Sequence, residues 1–505
     1  MVQVLSLDFG TGSVRAAVYD VDARRVVALA EAPYVTTHPR PGWAEQDPRQ
    51  WTAAMLQAVR SALEGAPSRQ IAGVCVDTTA STVVVASRGG EALAPAILWM
   101  DCRAEAEARF SETIDHPVMA WSGHGDAVEW LVPKAMWLKK NAPELWARAD
   151  VICEAVDYIN FLLTGDWVGS QLNAVCKWNY DPLDRRFHPD LYAALGVADL
   201  AAKLPGRIVP VGQAIGPMSR KMAQEFGIEG IPIVAQGGID AHMGLFGAGA
   251  LEPGSMLMIA GTSVVHLTHV DGFREISGIW GPYPHALVDG LWLLEGGQVS
   301  AGSILNWLSG TIFGLDQAGL DGLIETARKI EPGSTGLATL DYWQGNRTPY
   351  RDPNLRGAVL GLSLWHDRAT LYRSAADAVA LGSANVVGDL MRQGVAVDRL
   401  VISGGICKNP LWLTAAIDAM GVSAEVCESG NLSLIGGAVS AAVALGLFPD
   451  TRAASLALAA QTQSREPDPA RHAQYADMLA QYREATELLA PLSHRLATRA
   501  KGGPA

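Results

Sequence analysis

Apolar residues in this chain gather in short runs that break at glycine, and these alternate with longer stretches of helical periodicity. Residues 2–35 read as strands of Val, Leu and Ala, interrupted by a polar turn at Asp20–Arg25. Asp47 is placed to cap a helix over Pro48–Leu63, because its carboxylate can accept a first-turn amide. Ile71–Asp77 and Thr82–Ala86 predict strands on either side of Thr78-Thr79-Ala80-Ser81. Amphipathic helices are expected near Arg103–Thr113, Pro133–Asn141 and Ala155–Leu163. Ile231–Gln236 predicts a buried strand that ends on the glycines before Asp240.

A second cycle starts near Leu251, with strands on both sides of Gly261-Thr262. A helix is expected after Gly302-Ser303 and a longer one over Arg368–Gln393. Leu400–Ser403 predicts a short strand ending at Gly404-Gly405, and Gly436–Leu445 a small-residue helix able to press closely on a sheet. Tyr475, Met478, Leu479, Tyr482, Leu488, Leu489 and Leu492 recur at helical spacing, so a surface helix over about 470–495 closes the chain. The β/α alternation in both halves predicts an α/β protein with a boundary near 245–255, hence domains over 1–250 and 251–505. At 505 residues the chain also exceeds the size at which one core stops growing.

Composition narrows the function classes. A hydrophobic share of 49% supports ordered, well-buried domains, and a net charge of −13 argues against a nucleic-acid partner. Six cysteines lie scattered with no CxxC pair, so neither structural zinc nor a disulfide framework is expected. No signal peptide and no membrane span are read from the chain, and the expectation is a cytoplasmic protein with no membrane partner. The histidines form no triad or metal pattern, and no nucleophile elbow supports hydrolase chemistry.

Two segments carry the chemistry. Leu7-Asp8-Phe9-Gly10-Thr11-Gly12-Ser13-Val14-Arg15 and Gly261-Thr262-Ser263 each read as strand, Gly-Thr turn and returning strand. Glycine lets backbone approach a ligand, and amide and hydroxyl donors suit phosphate oxygens. Two such turns half a chain apart predict two similar domains gripping one nucleotide. Asp8 leads the first turn, and Gly237-Gly238-Ile239-Asp240 precedes the second. Paired acids beside phosphate turns fit Mg-nucleotide chemistry, one orienting the metal and one acting on the acceptor. Asp240 reads as that base or as the cap of a helix starting at Ala241, and the two roles can coexist. Asp8 reads as the metal-side carboxylate or as a strand-end group satisfying turn amides.

The ordered segments Asp8-Phe9-Gly10-Thr11…Arg15, Trp99-Met100-Asp101-Cys102-Arg103, Pro133-Lys134…Trp137, Gly238-Ile239-Asp240, Gly261-Thr262-Ser263, Gly345-Asn346-Arg347-Thr348-Pro349 and Gly404-Gly405-Ile406-Cys407-Lys408-Asn409 resemble the FGGY family of carbohydrate kinases. The likeness covers roughly residues 3–445. Cys176-Lys177-Trp178-Asn179-Tyr180, Ile279-Trp280-Gly281-Pro282-Tyr283 and Leu294-Glu295-Gly296-Gly297-Gln298 are similar to its ribulokinase branch. Cys102 departs from it, since ribulokinases often carry histidine there.

The resemblance implies two ribonuclease-H-like domains of the actin, hexokinase and chaperone-ATPase type, with ATP, Mg²⁺ and sugar in the cleft between them. It gives Asp240 the proton of the acceptor hydroxyl and Asp8 the metal, often through water. It lines the phosphate path with Thr11, Gly12, Ser13 and Arg15, sets Gly261 and Thr262 on the β/γ phosphates, borders the nucleotide with Gly302 and Asn306, and gives Gly405 and Asn409 to the adenosine. Sugar positions fall on Ala80, Lys177, Asp240 and Glu295. Trp99, Asp101 and Arg103 are further pocket candidates, although Asp101–Arg103 can equally cap the following helix. Lys177 among aromatic neighbours and Glu295 among apolar ones suit hydroxyls that must be paired once desolvated. The expected reaction is ATP-dependent phosphorylation of a pentulose, D-ribulose to D-ribulose 5-phosphate first, with L-ribulose, ribitol and other polyols or ketoses as alternatives. A sugar-independent ATPase switch on the same fold is the rival of another class. A homodimer is frequent among such relatives.

Overall fold

The computed structural model describes residues 2–428 and 430–500. The first sheet contains β1 (Gln3–Phe9), β2 (Ser13–Asp20), β3 (Arg25–Pro33), β4 (Gly73–Thr78), β5 (Ala214–Pro217) and β6 (Ile233–Ala235), in the order β5-β6-β4-β1-β2-β3. Asp47 caps α1 (Pro48–Gly65) by accepting the Arg49 amide, as its position in the sequence predicts. Side chains alternate along β1. Leu5, Leu7 and Phe9 pack with Trp51, Met55 and Ala58 on one face. Val4 joins Tyr19 and Cys75 on the other face, and the period of two puts Ser6 and Asp8 on that same side.

Two helices of this half reach the cleft. α2 (Gln171–Lys177) is absent from the sequence reading, because seven residues hold too few turns to show a period. α3 (Asp240–Ala248) starts on the glycine-rich segment after β6.

The second sheet contains β7 (Gly254–Ala260), β8 (Val264–Val270), β9 (Trp280–Pro284), β10 (Trp292–Gln298), β11 (Val397–Ser403), β12 (Ala424–Cys427) and β13 (Gln463–Arg465), in the order β9-β10-β8-β7-β11-β12-β13. Both sheets repeat one unit, an antiparallel hairpin (β1–β2, β7–β8) with a parallel strand beside its first arm (β4, β11). α4 (Arg368–Arg392) and α5 (Pro410–Met420) cover the outer face, where Val379 and Ala416 meet Met256, Met258, Leu400 and Ile402. α5 too is absent from the sequence reading.

Leu257, Leu267 and Val401 point the opposite way, into the core that holds Val4 and Cys75 of the first sheet. α3 and α6 (Leu432–Ala444) fill that shared layer with Met243, Leu245, Ile435 and Ala438. α6 begins four residues earlier than expected, since Leu432, Leu434 and Ile435 are buried and extend the helix. It belongs to the second half in sequence but lies on the first sheet, and its small residues make that possible. A Cβ on Gly437 would stand 2.0 Å from Ser6 Oγ. α7 (Pro469–Ala500) ends the described chain, burying Tyr475 and Tyr482 against the outer layer. No helix among the described residues is long and apolar enough to cross a membrane.

Candidate active site

The hairpin turns of both sheets meet the N-terminus of α3 in the cleft. Each turn is closed by its leading glycine, over loops that differ by one residue: Gly10 N–H donates to Ser13 O at 3.0 Å and Gly261 N–H to Ser263 O at 2.9 Å. Behind the second turn, Ala301 and Ser303 N–H donate to Thr262 O at 3.0 and 3.2 Å, and Gly302 N–H to Gly261 O at 3.0 Å. Gly302 is required there, because a Cβ would approach Gly261 O to 2.4 Å.

Two cavities open between the turns. The first, about 290 Å³, is lined by Thr11, Ala80, Trp99, Lys177, Asp240, Gly261, Thr262 and Glu295, all sequence candidates. The second, about 200 Å³, is lined by Asp8, Gly10, Ser13, Arg15 and Asp240, together with Ser433 at the start of α6. Asp240, Ala241 and Ile259 line both, so the Asp240 carboxylate stands where the two volumes join.

Asp240 is the first residue of α3 and its Oδ1 accepts the Ala241 amide at 2.6 Å, so the helix-start role and exposure to the cavities coexist. Burial, and then the neighbouring Asp8 charge, push its carboxyl up to about 7, the range a general base needs near neutrality. Asp8 is ion-paired to Arg15 and accepts Ser433 Oγ–H at 2.8 Å. Arg15 also reaches Gly430 O at 3.2 Å, tying the first turn to the start of α6.

In the first cavity Lys177, at the end of α2, donates to Glu295 of β10 at 2.8 Å. The ammonium lies 4.7 Å from the Trp130 ring centroid and 5.7 Å from that of Trp280. Burial would raise the Glu295 carboxyl, but Lys177 and His242 outweigh it and hold the group well below the carboxylate range. Burial lowers His242, which is therefore neutral at pH 7. The turn carrying Ala80 is braced from beneath. Lys134 Nζ donates to Ser81 O at 2.7 Å and Leu98 O at 2.6 Å, and Glu154 accepts Ser81 N–H at 2.6 Å.

Other candidates from the sequence lie outside these two cavities. Asp101 and Arg103 line neither cavity. Asp101 accepts the Ala44 amide at 2.7 Å and the Arg103 guanidinium at 2.8 Å, and Arg103 also binds Glu45 at 2.7 Å over the face of Trp43. They clamp the wall behind Trp99, whose Nε1–H donates to Thr11 Oγ1 at 3.2 Å. Gly302, Asn306, Gly405 and Asn409 also lie outside both linings. Asn306 and Gly405 are exposed. The Asn409 amide is engaged in structure, capping α5 through Trp412 N–H at 3.2 Å and donating to Tyr372 at 3.0 Å. Gly12 lines neither cavity, and a Cβ placed on it would meet nothing within 4 Å.

Sequence reasoning missed Asp77, which lies beside Asp8 in the parallel register of β1 and β4, fully buried, with both carboxylate oxygens lacking a hydrogen-bond partner. Burial, then Asp8 and Asp240, push its carboxyl far up. An acid closing the apolar run Val74-Cys75-Val76 was the available signal. Glu129, Trp130, His242, Trp280 and Arg347 also line the first cavity unanticipated as site residues. The structure brings His116 within ligand reach of His188 and Asp190, a cluster whose first member lies too far from the other two in the chain to signal it. His116 Nδ1 accepts the Val118 amide at 3.2 Å, which leaves its proton on Nε2 and that nitrogen without a lone pair for a metal.

Two similar sheets whose hairpin turns face one cleft, with a carboxylate where two cavities join, define the class of two-domain proteins with the actin and hexokinase type of fold. The chain belongs to the FGGY family of carbohydrate kinases: the family's N-terminal domain matches residues 3–247 and its C-terminal domain residues 256–445. It is 31% identical over 483 residues to a ribulokinase of Shouchella clausii, covering 88% of this chain and 86% of that one. It is 30% identical over 500 residues to an FGGY carbohydrate kinase domain-containing protein of Xenopus laevis, covering 90% of each. The solved xylulose kinase of Rhodospirillum rubrum superposes with a TM-score of 0.86 at 26% identity, over 97% of this chain and all of that one. The protein is a carbohydrate kinase, an enzyme of a family that uses ATP.

Proposed function

We propose that the protein transfers the γ-phosphoryl group of ATP to the terminal primary hydroxyl of a pentulose, with D-ribulose the first candidate and L-ribulose, ribitol and related polyols or ketoses next. The observation carrying this reading is the place of Asp240, at the junction of a cavity lined by Lys177 and Glu295 and a cavity lined by Asp8, Ser13 and Arg15. A sugar hydroxyl held in the first cavity presents its proton to Asp240 Oδ while its oxygen faces the phosphate in the second. As the oxygen–phosphorus bond forms, the carboxylate takes the proton and ADP departs. Arg15 and the turn amides receive the charge on the phosphate oxygens.

The donor set suits Mg²⁺, a cation that prefers oxygen: the Asp8 carboxylate faces the second cavity, and the Asp77 oxygens beside it have no partner. Asp8 would hold the ion, directly or through water, and the ion would neutralise phosphate charge. Gly12, Gly261, Thr262, Gly302, Asn306, Gly405 and Asn409 are proposed for the remaining nucleotide contacts.

The charges of the first cavity favour an uncharged substrate. Its cations, Lys177 and Arg347, are both paired, with Glu295 and Glu129, and His242 is neutral. No unpaired cation among the described residues of that lining awaits a sugar acid. The names of the ribulokinase and xylulose kinase relatives support a pentulose.

ADP release measured with a panel of pentuloses, hexuloses and polyols tests the reading. Turnover stimulated by a pentulose is expected. ATP hydrolysis indifferent to every sugar would instead favour the ATPase switch.

A further inference from the structure

The segment Gly345–Pro349 has no role in the transfer step proposed above, yet it delivers Arg347 to the first cavity, the one proposed for the sugar. The loop is pinned from both sides: Thr348 Oγ1 accepts the Gly297 amide at 3.2 Å, and Asn346 Oδ1 accepts the Tyr350 amide at 2.9 Å. The Arg347 guanidinium lies 5.0 Å from the centroid of the Trp280 ring and donates to Glu129 Oε1 at 2.9 Å. Glu129 comes from the first half of the chain and Arg347 from the second, so the pair spans the cleft. Both side chains are 20% exposed and line only the sugar cavity, not the phosphate cavity.

Chemistry distinguishes this pair from Lys177–Glu295, which is more deeply buried. A guanidinium carries five N–H donors and a carboxylate about four acceptor sites. The hydrogen bond between them, through one guanidinium nitrogen and one carboxylate oxygen, leaves donors and an acceptor oxygen for a ligand. A polyhydroxyl chain needs such mixed partners, because each desolvated hydroxyl both donates and accepts.

We infer that Glu129 and Arg347 form a specificity-determining subsite that hydrogen-bonds the hydroxyls of the sugar away from the transfer point, one residue from each half of the protein. This inference rests on the sugar-kinase reading above. Because each half supplies one partner, bound sugar bridges the cleft, and the subsite is complete only when the halves are closed on it.

Wild-type enzyme is first assayed with the sugar panel; no sugar-dependent turnover there overturns the kinase reading itself, whatever the variants do. Glu129→Gln and Arg347→Gln are then compared with the double variant Glu129→Arg/Arg347→Glu, and melting curves establish that each is folded. Each single variant is expected to raise KM for the preferred sugar about tenfold or more and to reorder the panel, with KM for ATP within about twofold of wild type. The charge-swapped pair restores an ion pair but exchanges donor and acceptor positions, so the sugar defect is expected to persist. Unchanged sugar KM and rank order in Glu129→Gln, which keeps shape and hydrogen bonding to Arg347, would overturn the inference. Recovery of wild-type KM by the swap would also overturn it, reducing the pair to a brace between the halves.

Discussion

Asp8 and Ile259 occupy the same place in the two sheets. Each is the second-last residue of the first hairpin strand, opposite Arg15 and Val265 on the return arm, and beside Asp77 and Ser403 on the parallel strand. Both line the second cavity. One position therefore bears an acid, a base and a second acid in the first half, and two aliphatic side chains and a hydroxyl in the second. The repeated hairpin presents its turn to the cleft in both copies, and the charged side chains are concentrated in one copy. A single dense cluster of charge is easier to keep desolvated and oriented than two facing ones, which would repel across a narrow gap.

The asymmetry can be broken from either side. The largest effect is expected at the junction: Asp240→Asn should lower kcat by about 10²- to 10⁴-fold while KM for sugar and ATP moves little. Retained turnover would remove Asp240 from the base role. Asp8→Asn takes the acid out of the charged copy, and a loss of about 10²-fold in kcat is expected, with sugar KM unaffected. The reciprocal change, Ile259→Asp, puts a like charge against the phosphates and should raise KM for ATP about tenfold. An Ile259→Asp enzyme with wild-type ATP affinity would mean that the two copies do not face one phosphate chain.

A smaller and subtler effect lies in pH. As the proposed base, Asp240 acts only when deprotonated, so kcat should fall as pH drops through about 7 and level off above it. Because the folded protein holds that proton more tightly than the usual 3.8 allows, this group stabilises the fold at low pH and loses that contribution as pH rises through about 7. Asp240→Asn should therefore melt higher than wild type at pH 8 and flatten the pH profile of whatever activity remains.

Both hairpin turns, the capped α1 and the long α4 were legible, since each is signalled by local pattern. Asp240, Lys177 and Glu295, charged residues within apolar surroundings of the sequence, come together on the lining of the first cavity. Asp101 and Arg103 looked equally conspicuous, but their charges satisfy one another and Glu45, a pairing that depends on a strand some 58 residues distant. Asp77 and Arg347 went unseen because their meaning comes from neighbours brought in by sheet register and by the far half of the chain. Short helices such as α2 offer too little sequence for any period to emerge.

The course of α6 has a practical consequence. Expressing residues 1–250 alone would strip β1 and β4 of the layer that shields Val4, Ser6 and Cys75, uncovering a broad apolar face, and the fragment should clump or melt. A peptide spanning 432–444 supplied in trans, or a redesigned connection joining that stretch directly behind residue 250, is what the truncated unit would need to stand by itself.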